Sequence, residues 1–288
     1  MKEGADVFER LSNSWELVKA SAAVLQADKE LLLFPVISAV LSILVVVTFA
    51  VPAVLAGVFA SGFPDAAGVP AAGYVAVLLF YVVQYFVIFF CNTALVGAAL
   101  IRLRGGDPTV ADGFRIAASR VGPILGYALI AATVGMVLRA VSERSGFLGR
   151  LVVGLVGFAW NLATFLVVPV LVVEDVGPIE AVRRSASYLR KTWGEQIAGN
   201  LGMGLAFGLI SLGTLGAGVV LLAAAAATES AVLIIFVAVC LLLAFVAIAL
   251  ISSALSGVYA AAVYRYAAEG KSVGFFTPAM VKSAFRAE

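Results

Sequence analysis

Long apolar runs alternate along this chain with shorter segments that mix charged and apolar residues. A helix needs about 20 apolar residues to cross a hydrocarbon core about 30 Å thick. Runs such as LVVGLVGFAW do not alternate polar and apolar residues, so spanning helices are predicted and not spanning strands. The six predicted spans cover residues 31–60, 71–101, 123–141, 148–173, 197–227 and 231–264.

The connecting segments have a different hydrophobic periodicity, with apolar residues recurring at intervals of three and four. From Pro178 onward, one helical face carries Ile179, Val182, Ala186, Leu189 and Trp193. The other face carries Glu180, Arg183, Arg184, Ser187 and Lys191. The same periodicity occurs over residues 8–25 and 110–121. It predicts amphipathic helices that lie at the membrane interface.

Each predicted interfacial helix is followed by two spans, which indicates three tandem units of surface helix plus transmembrane hairpin. The alternative is that any cytoplasmic connection in such a protein tends to be amphipathic. Ser12, Ser14 and Trp15 align at one constant offset with Ser185, Ser187 and Tyr188. The fold class predicted is therefore an all-α integral membrane protein with six transmembrane helices in a single membrane domain over 1–288. Its units are 1–104, 105–175 and 176–270, followed by a tail, 271–288.

Composition and charge fix the class and the orientation. The chain is 63% hydrophobic and only 12% charged, with a mean hydropathy of +1.10, which is typical of a protein embedded in a membrane. Of the 19 Lys and Arg residues, 16 fall on one side of the predicted spans, and only Arg139, Arg144 and Arg150 fall on the other. The positive-inside rule then predicts a multi-pass plasma membrane protein with both termini in the cytoplasm. The first 26 residues include four acidic residues and no continuous apolar core, so no cleaved signal peptide is expected.

The interfacial helices supply candidate lipid contacts. Aromatic side chains settle at headgroup depth, and each basic side chain near anionic lipid contributes about 1 kcal/mol. The candidates are Trp15, Arg115, Arg183, Arg184, Tyr188, Arg190, Lys191 and Trp193.

Several polar residues fall within the predicted spans, namely Gln84, Asn92, Asn161, Thr164, Asn200, Ser252 and Ser253. They could line a permeation path or contact the polar end of a ligand. Alternatively, they hydrogen-bond between helices, which contributes about 1 kcal/mol in membranes and requires no ligand.

A second candidate site lies on the predicted outer side, in the sequence SERSGFLGR. Arg139 precedes Glu143 by four residues and Arg144 adjoins it, which favours a local ion pair. The cluster Arg139, Glu143 and Arg144 could gate a path or contact an outer ligand. The alternative is a tight hairpin with solvated charges.

The sequence gives little support for catalysis or for binding of a metal or cofactor. The chain has no histidine, and its two cysteines, Cys91 and Cys240, lie in apolar runs typical of packed thiols. None of the 17 carboxylates lies in the middle of a span, although pumps and intramembrane proteases need ionisable groups at that depth. The sequence GGDP at 105–108 follows no strand and lacks the lysine of a phosphate-binding loop, so it marks a helix start. We therefore expect no enzyme activity, no metal and no cofactor.

Four segments carry a family resemblance: KELLLFPVIS, AVSERSGFLGR, AWNLATFLVVPVLVVED and RRSASYLRKTWGE. They resemble a family of prokaryotic polytopic membrane proteins known as a domain of unknown function. The unit of surface helix plus hairpin is also similar, more distantly, to the membrane domain that accompanies some bacterial glycerophosphodiester phosphodiesterases. Neither resemblance brings catalytic residues, because the phosphodiesterase chemistry belongs to a separate soluble barrel.

Two functions remain open from the sequence, while a third, an enzyme that acts on lipid through Ser and Asp residues at the inner interface, has no supporting arrangement of residues. The first is a non-enzymatic module that binds or organises lipid, or scaffolds a partner, through its inner-leaflet helices. The second is a channel or facilitator for a small or amphiphilic solute. The expected partners are membrane lipids, a second copy of the chain or another membrane protein, and not nucleic acid.

Overall fold

A computed structural model of the chain describes residues 19–55, 71–191 and 193–269. Within these residues the regular structure is entirely helical. Residues 19–27 are helical and lead through a 3-10 turn, Lys29–Leu32, into the first long helix. The helices that follow are α1 (Leu33–Leu55), α2 (Ala71–Leu103), α3 (Val110–Ser119), α4 (Val121–Arg144), α5 (Phe147–Thr164), α6 (Val167–Val173), α7 (Pro178–Lys191), α8 (Trp193–Ala227) and α9 (Ala231–Glu269).

Six stretches of the described chain are long and apolar enough to cross a membrane. They correspond to α1, α2, α4, the α5–α6 pair, α8 and α9. The predicted class of protein and the predicted number of spans are therefore confirmed.

The core of the bundle lies where the second half of α2 meets α6 and the second half of α9. Leu95, Leu171 and Tyr259 are among its fully buried side chains. Many of the surrounding core residues are alanines, which allow the helix backbones to approach closely. By contrast, the first half of α9 and residues 209–221 of α8 expose large apolar side chains, as expected for helices that face lipid.

The fourth predicted span, 148–173, is not one continuous helix. It breaks at residues 165–166, between α5 and α6. Pro169 has no N–H to donate to the carbonyl of Phe165, four residues earlier, so the helical hydrogen bonds are interrupted there. Ser185 of α7 compensates, because its Oγ accepts from Leu166 N–H at 3.1 Å and donates to the Ala163 carbonyl at 2.6 Å.

One face of α3 packs against the bundle. Its Phe114 ring lies between Phe34 and Phe90, with centroid distances of 5.3 and 6.0 Å. Gly113 and Ala117, on the same face, are buried. The apolar face predicted for this segment therefore contacts protein.

The other short helices pack in the same way. Ala20 and Val24, in the helical residues 19–27, belong to the core. In α7 the buried positions are Ala181, Ser185 and Leu189, while Ile179 is 63% exposed. Leu189 was expected on the same apolar face as Ile179, but it faces the bundle because α7 lies across α5 and α6.

Hydrogen bonds and ion pairs hold these segments together at one end of the bundle. Arg265 Nη1 donates to the carbonyl of Leu103 at 2.5 Å, and Arg104 pairs with Glu269 at 3.0 Å. Further bonds join Arg102 to Ala27 and Asp107, Val110 to Glu30, and Arg120 to Asp175. We call this end, formed by residues 19–32, 102–120, 174–191 and 264–269, the basic end.

Candidate functional site

The outward face of α7 forms a stripe at the basic end. Ile179, Arg183, Ser187 and Arg190 are all exposed and follow one another at intervals of three and four residues, so they share one side of the helix. Within the described residues, neither Arg183 nor Arg190 forms an ion pair. The stripe therefore combines one exposed apolar side chain with two available positive charges.

Arg184 has a different environment from its basic neighbours. Its guanidinium pairs with Glu174, the residue at which α6 ends, and with Glu180 one turn earlier in α7 at 3.1 Å. The Glu174 side chain is only 13% exposed. Its Oε1 accepts hydrogen bonds from Tyr188 at 2.8 Å and from Tyr264 at 2.9 Å. Two of the predicted lipid contacts, Arg184 and Tyr188, are therefore engaged within the protein.

The electrostatics of Glu174 reflect two opposing causes. Burial raises the pKa of its carboxyl, but the bonds from Arg184, Tyr188 and Tyr264 outweigh burial and hold the pKa below its usual range. A carboxylate at a helix C-terminus also faces the negative end of the helix dipole. The charged form is therefore held in place by its three donors. Burial and the same carboxylate raise the pKa of Tyr188.

A cleft of about 380 Å³ opens between α2, α4, α5 and α6. Its lining includes six side chains with hydrogen-bonding groups, Tyr85, Asn92, Tyr127, Trp160, Asn161 and Thr164. In the described part of the chain, the carboxamides of Asn92 and Asn161 form no hydrogen bond with another residue. Three of the predicted intramembrane polar residues, Asn92, Asn161 and Thr164, thus meet at one cavity.

An aromatic ladder runs along α2 into this cleft. Tyr81, Tyr85 and Phe89 stack at successive helical turns, with centroid distances of 6.4 and 5.6 Å. The Phe89 ring then packs 4.5 Å from Tyr127 of α4. Residues four apart on a helix lie on one face, so the ladder forms a continuous wall.

The predicted outer cluster lies at the far end of this ladder. Arg139 Nε pairs with Glu143 at 2.8 Å, as the spacing predicted, and Arg139 Nη1 donates to the Tyr81 hydroxyl at 3.2 Å. Both partners of the ion pair are more than half exposed. Arg144 is exposed and forms no ion pair with the described residues. The cluster is therefore a surface network beside Tyr85 and Leu138, two residues that line the cleft.

A second, smaller cavity of about 40 Å³ adjoins Asn92 on its other side, between α1, α2 and α9. Ser38 and Ser253 supply its remaining hydroxyl groups. Such a volume is sufficient for a water molecule with polar partners.

The remaining predicted residues lie apart from the cleft. Gln84 is on α2 but does not line it, and its buried Oε1 has no partner among the described residues. Arg115 pairs with Asp112 on the exposed face of α3 at 2.9 Å. Trp15 and the side chains of Lys191, Trp193 and Asn200 lie outside the described part of the structure.

Sequence reasoning did not identify Glu174, Tyr264 or the aromatic lining of the cleft. The aromatic ladder could have been predicted from the sequence, since Tyr81, Tyr85 and Phe89 repeat at intervals of four in a predicted helix and so share one face. Glu174 follows an apolar run and precedes Gly177 and Pro178, so the sequence predicts that one helix ends at Glu174 and the next begins at Pro178.

Comparison with known proteins places the chain in a family. No curated protein matches it in sequence. Residues 71–275, which include α2 to α9 and thus the cleft and the Glu174 cluster, match the family described as "Family of unknown function (DUF6159)". The chain is a membrane protein that belongs to this DUF6159 family.

Proposed function

We propose that the protein is a non-enzymatic, multi-pass plasma membrane protein that binds or organises anionic lipid at the inner leaflet, with both termini in the cytoplasm. The observation that carries this proposal is the outward stripe of α7. Exposed Ile179 can enter the acyl region, while Arg183 and Arg190 reach lipid phosphates. Each arginine contributes about 1 kcal/mol of attraction to an anionic leaflet.

The distribution of charge supports this orientation. The basic end gathers the segments that hold most of the Lys and Arg residues, and the positive-inside rule assigns such an end to the cytoplasm. The absence of histidine from the sequence favours a non-enzymatic role. A scaffold for a partner membrane protein, or for a second copy, would use the same surface.

The order of helices supports a repeated construction. A short helix packed at the basic end precedes each hairpin: residues 19–27 before α1 and α2, α3 before α4 and α5, and α7 before α8 and α9. We infer three tandem units from this order. As part of the same proposal, we relate this unit of surface helix plus hairpin to the membrane domain that accompanies some glycerophosphodiester phosphodiesterases.

The test uses two charge-matched double variants. Arg183→Gln/Arg190→Gln removes two charges from the stripe, and Arg144→Gln/Arg150→Gln removes two exposed charges from the opposite end. Each protein is placed in nanodiscs of equal phosphatidylglycerol and phosphatidylcholine, and native mass spectrometry counts the phosphatidylglycerol retained on release. We expect the first variant to retain less than the wild type and the second to retain the same amount. Equal retention in all three proteins would overturn the proposal.

A second candidate function, a facilitator for a small neutral solute, is favoured by one observation. Asn92 borders both the cleft and the smaller cavity, so polar groups extend from Ser253 to Thr164 across α2. Liposomes that contain the purified protein should then take up glycerol or urea faster than empty liposomes, and Asn92→Leu should slow this uptake. Uptake equal to that of empty liposomes excludes the facilitator.

A further inference from the structure

We infer that the cleft between α2, α4, α5 and α6 binds one neutral amphiphile, a single acyl chain with an uncharged hydroxyl or ester head group. This site is distinct from the α7 stripe and does not depend on the proposed function. The inference rests on the size of the cleft, its unbonded amides, its uncharged lining and its access from the side of the bundle.

The size of the cleft suits a small ligand. Its volume of about 380 Å³ falls within the range of roughly 300–1,000 Å³ typical of small-molecule sites. Phe89, Tyr85 and Trp160 contribute broad apolar surfaces to its walls, which pack well against a hydrocarbon chain. A cavity of this size is large for one water and small for a two-chain phospholipid.

The amides of Asn92 and Asn161 specify the polar end of the ligand. Both lie in membrane-spanning helices, and neither side chain bonds to another described residue. An amide without a hydrogen-bond partner is unfavourable in hydrocarbon, so a group that both accepts and donates hydrogen bonds would stabilise this arrangement. A hydroxyl or glycerol ester provides both.

The lining selects against charge. Every described residue that lines the cleft is uncharged. A carboxylate or phosphate in that position would lose hydration without gaining an opposite charge. A neutral head group therefore fits the cleft better than the head group of an anionic lipid or of an ionised fatty acid.

Access is lateral. Asn161 lines the cleft and is exposed on α5, and the nearby apolar side chains of Val156 and Phe158 are about half exposed, as expected for a spanning helix that faces lipid. The cleft thus opens towards the bilayer, from which an amphiphile can enter without crossing water.

Two glycines of α5 provide a matched pair for the test. A side chain on Gly157 would point towards Leu138, with its Cβ 3.9 Å from Leu138 Cδ1, and both residues line the cleft. A side chain on Gly154, one turn earlier, would meet nothing within 4 Å. Gly157→Leu therefore fills the cleft, while Gly154→Leu adds the same side chain on the exposed side of the helix.

The probe is mono-oleoylglycerol, added to the full-length protein in detergent micelles and counted by native mass spectrometry. We expect one bound molecule per chain in the wild type and in Gly154→Leu. Gly157→Leu should lose most of this binding, because the added side chain occupies the space that the ligand would fill. Asn92→Leu/Asn161→Leu should weaken it by about fivefold for each lost hydrogen bond. Arg183→Gln/Arg190→Gln should bind as the wild type does, so this inference and the proposed function fail separately.

Fluorescence locates the bound molecule. The chain has three tryptophans, and Trp15→Phe/Trp193→Phe leaves Trp160 alone at the cleft. Dibrominated mono-oleoylglycerol should quench Trp160 and saturate at one equivalent. Three outcomes would overturn the inference: equal binding by Gly154→Leu and Gly157→Leu, equal affinity for the single-chain anionic probe oleate, or a wild-type protein that retains no mono-oleoylglycerol.

Discussion

The hydroxyl of Tyr264, near the end of α9, donates a hydrogen bond of 2.9 Å to Oε1 of Glu174, where α6 ends. Tyr188 of α7 donates to the same oxygen, and the two tyrosine rings meet edge to face with centroids 5.9 Å apart. One carboxylate therefore joins three helices at the basic end. The position of α7, and with it the direction of its exposed stripe, depends on this junction.

Removing the charge of Glu174 should destabilise the protein. Glu174→Gln keeps an acceptor for the tyrosines but removes the ion pair with Arg184, and a hydrogen bond to a charged group contributes about 1.5–3 kcal/mol. Glu180→Gln is the matched control, because Glu180 pairs with the same arginine from a side chain that is 46% exposed. Such an exposed pair contributes less than about 1 kcal/mol. Thermal unfolding in detergent should show a clear loss for Glu174→Gln and little for Glu180→Gln; equal losses would contradict the junction.

The same carboxylate predicts a dependence of stability on pH. The pKa of Glu174 in the folded protein lies below its usual value of 4.5, so the unfolded chain takes up the proton first as pH falls. Its contribution is complete above pH 4.5 and is lost as pH falls through the lower folded pKa. The difference in melting temperature between wild type and Glu174→Gln should therefore be constant near neutral pH and shrink below pH 4.5. A difference that persists unchanged to pH 3 would exclude this cause.

The break between α5 and α6 makes Ser185 a structural residue. Ser185→Ala removes both side-chain bonds at the break and leaves the buried N–H of Leu166 without a partner, which costs about 1–3 kcal/mol. Ser187→Ala, on the exposed side of the same helix, should have almost no effect on the melting temperature. Equal melting temperatures for Ser185→Ala and Ser187→Ala would contradict this structural role, and would mean that water supplies the missing hydrogen bonds.

The number of spans and their approximate ends could be predicted because each follows from composition over about 20 residues, without knowledge of neighbours. The pair Arg139–Glu143 was predictable for a similar reason, since both partners lie on one helix four residues apart. Local rules were sufficient for both features.

The Glu174 junction and the cleft depend on which helix faces meet, and hydrophobic periodicity does not contain that information in a membrane. Lipid chains and protein interiors are equally apolar, so an apolar face predicts burial without specifying what covers it. Leu189 and Ile179 illustrate this: both are apolar residues of α7, yet the first is buried against the bundle and the second is exposed.

Arg265 should be essential for the end of α2. Its guanidinium is nearly buried and donates to the carbonyl of Leu103, one of the last carbonyls of that helix, which has no partner within the helix itself. Arg265→Met should cost about 2–3 kcal/mol because it removes this charged donor. Arg104→Gln is the comparison, since Arg104 pairs with Glu269 from a side chain that is 50% exposed. Similar melting temperatures for the two variants would show that the capping bond contributes little.

Close approach of α3 to α2 depends on Gly113. A Cβ at this position would lie 2.7 Å from the backbone oxygen of Ala94 and 2.5 Å from the ring of Phe34, so Gly113→Ala forces α3 away from the bundle. Gly122→Ala, in the first turn of α4, meets nothing within 4 Å and gains helix propensity, so it should be neutral or slightly stabilising. We expect Gly113→Ala to lower the melting temperature, with a cost of about 1–3 kcal/mol as for other overpacked cores. An unchanged melting temperature for Gly113→Ala would mean that α3 does not pack this closely, and that its apolar face is available to lipid after all.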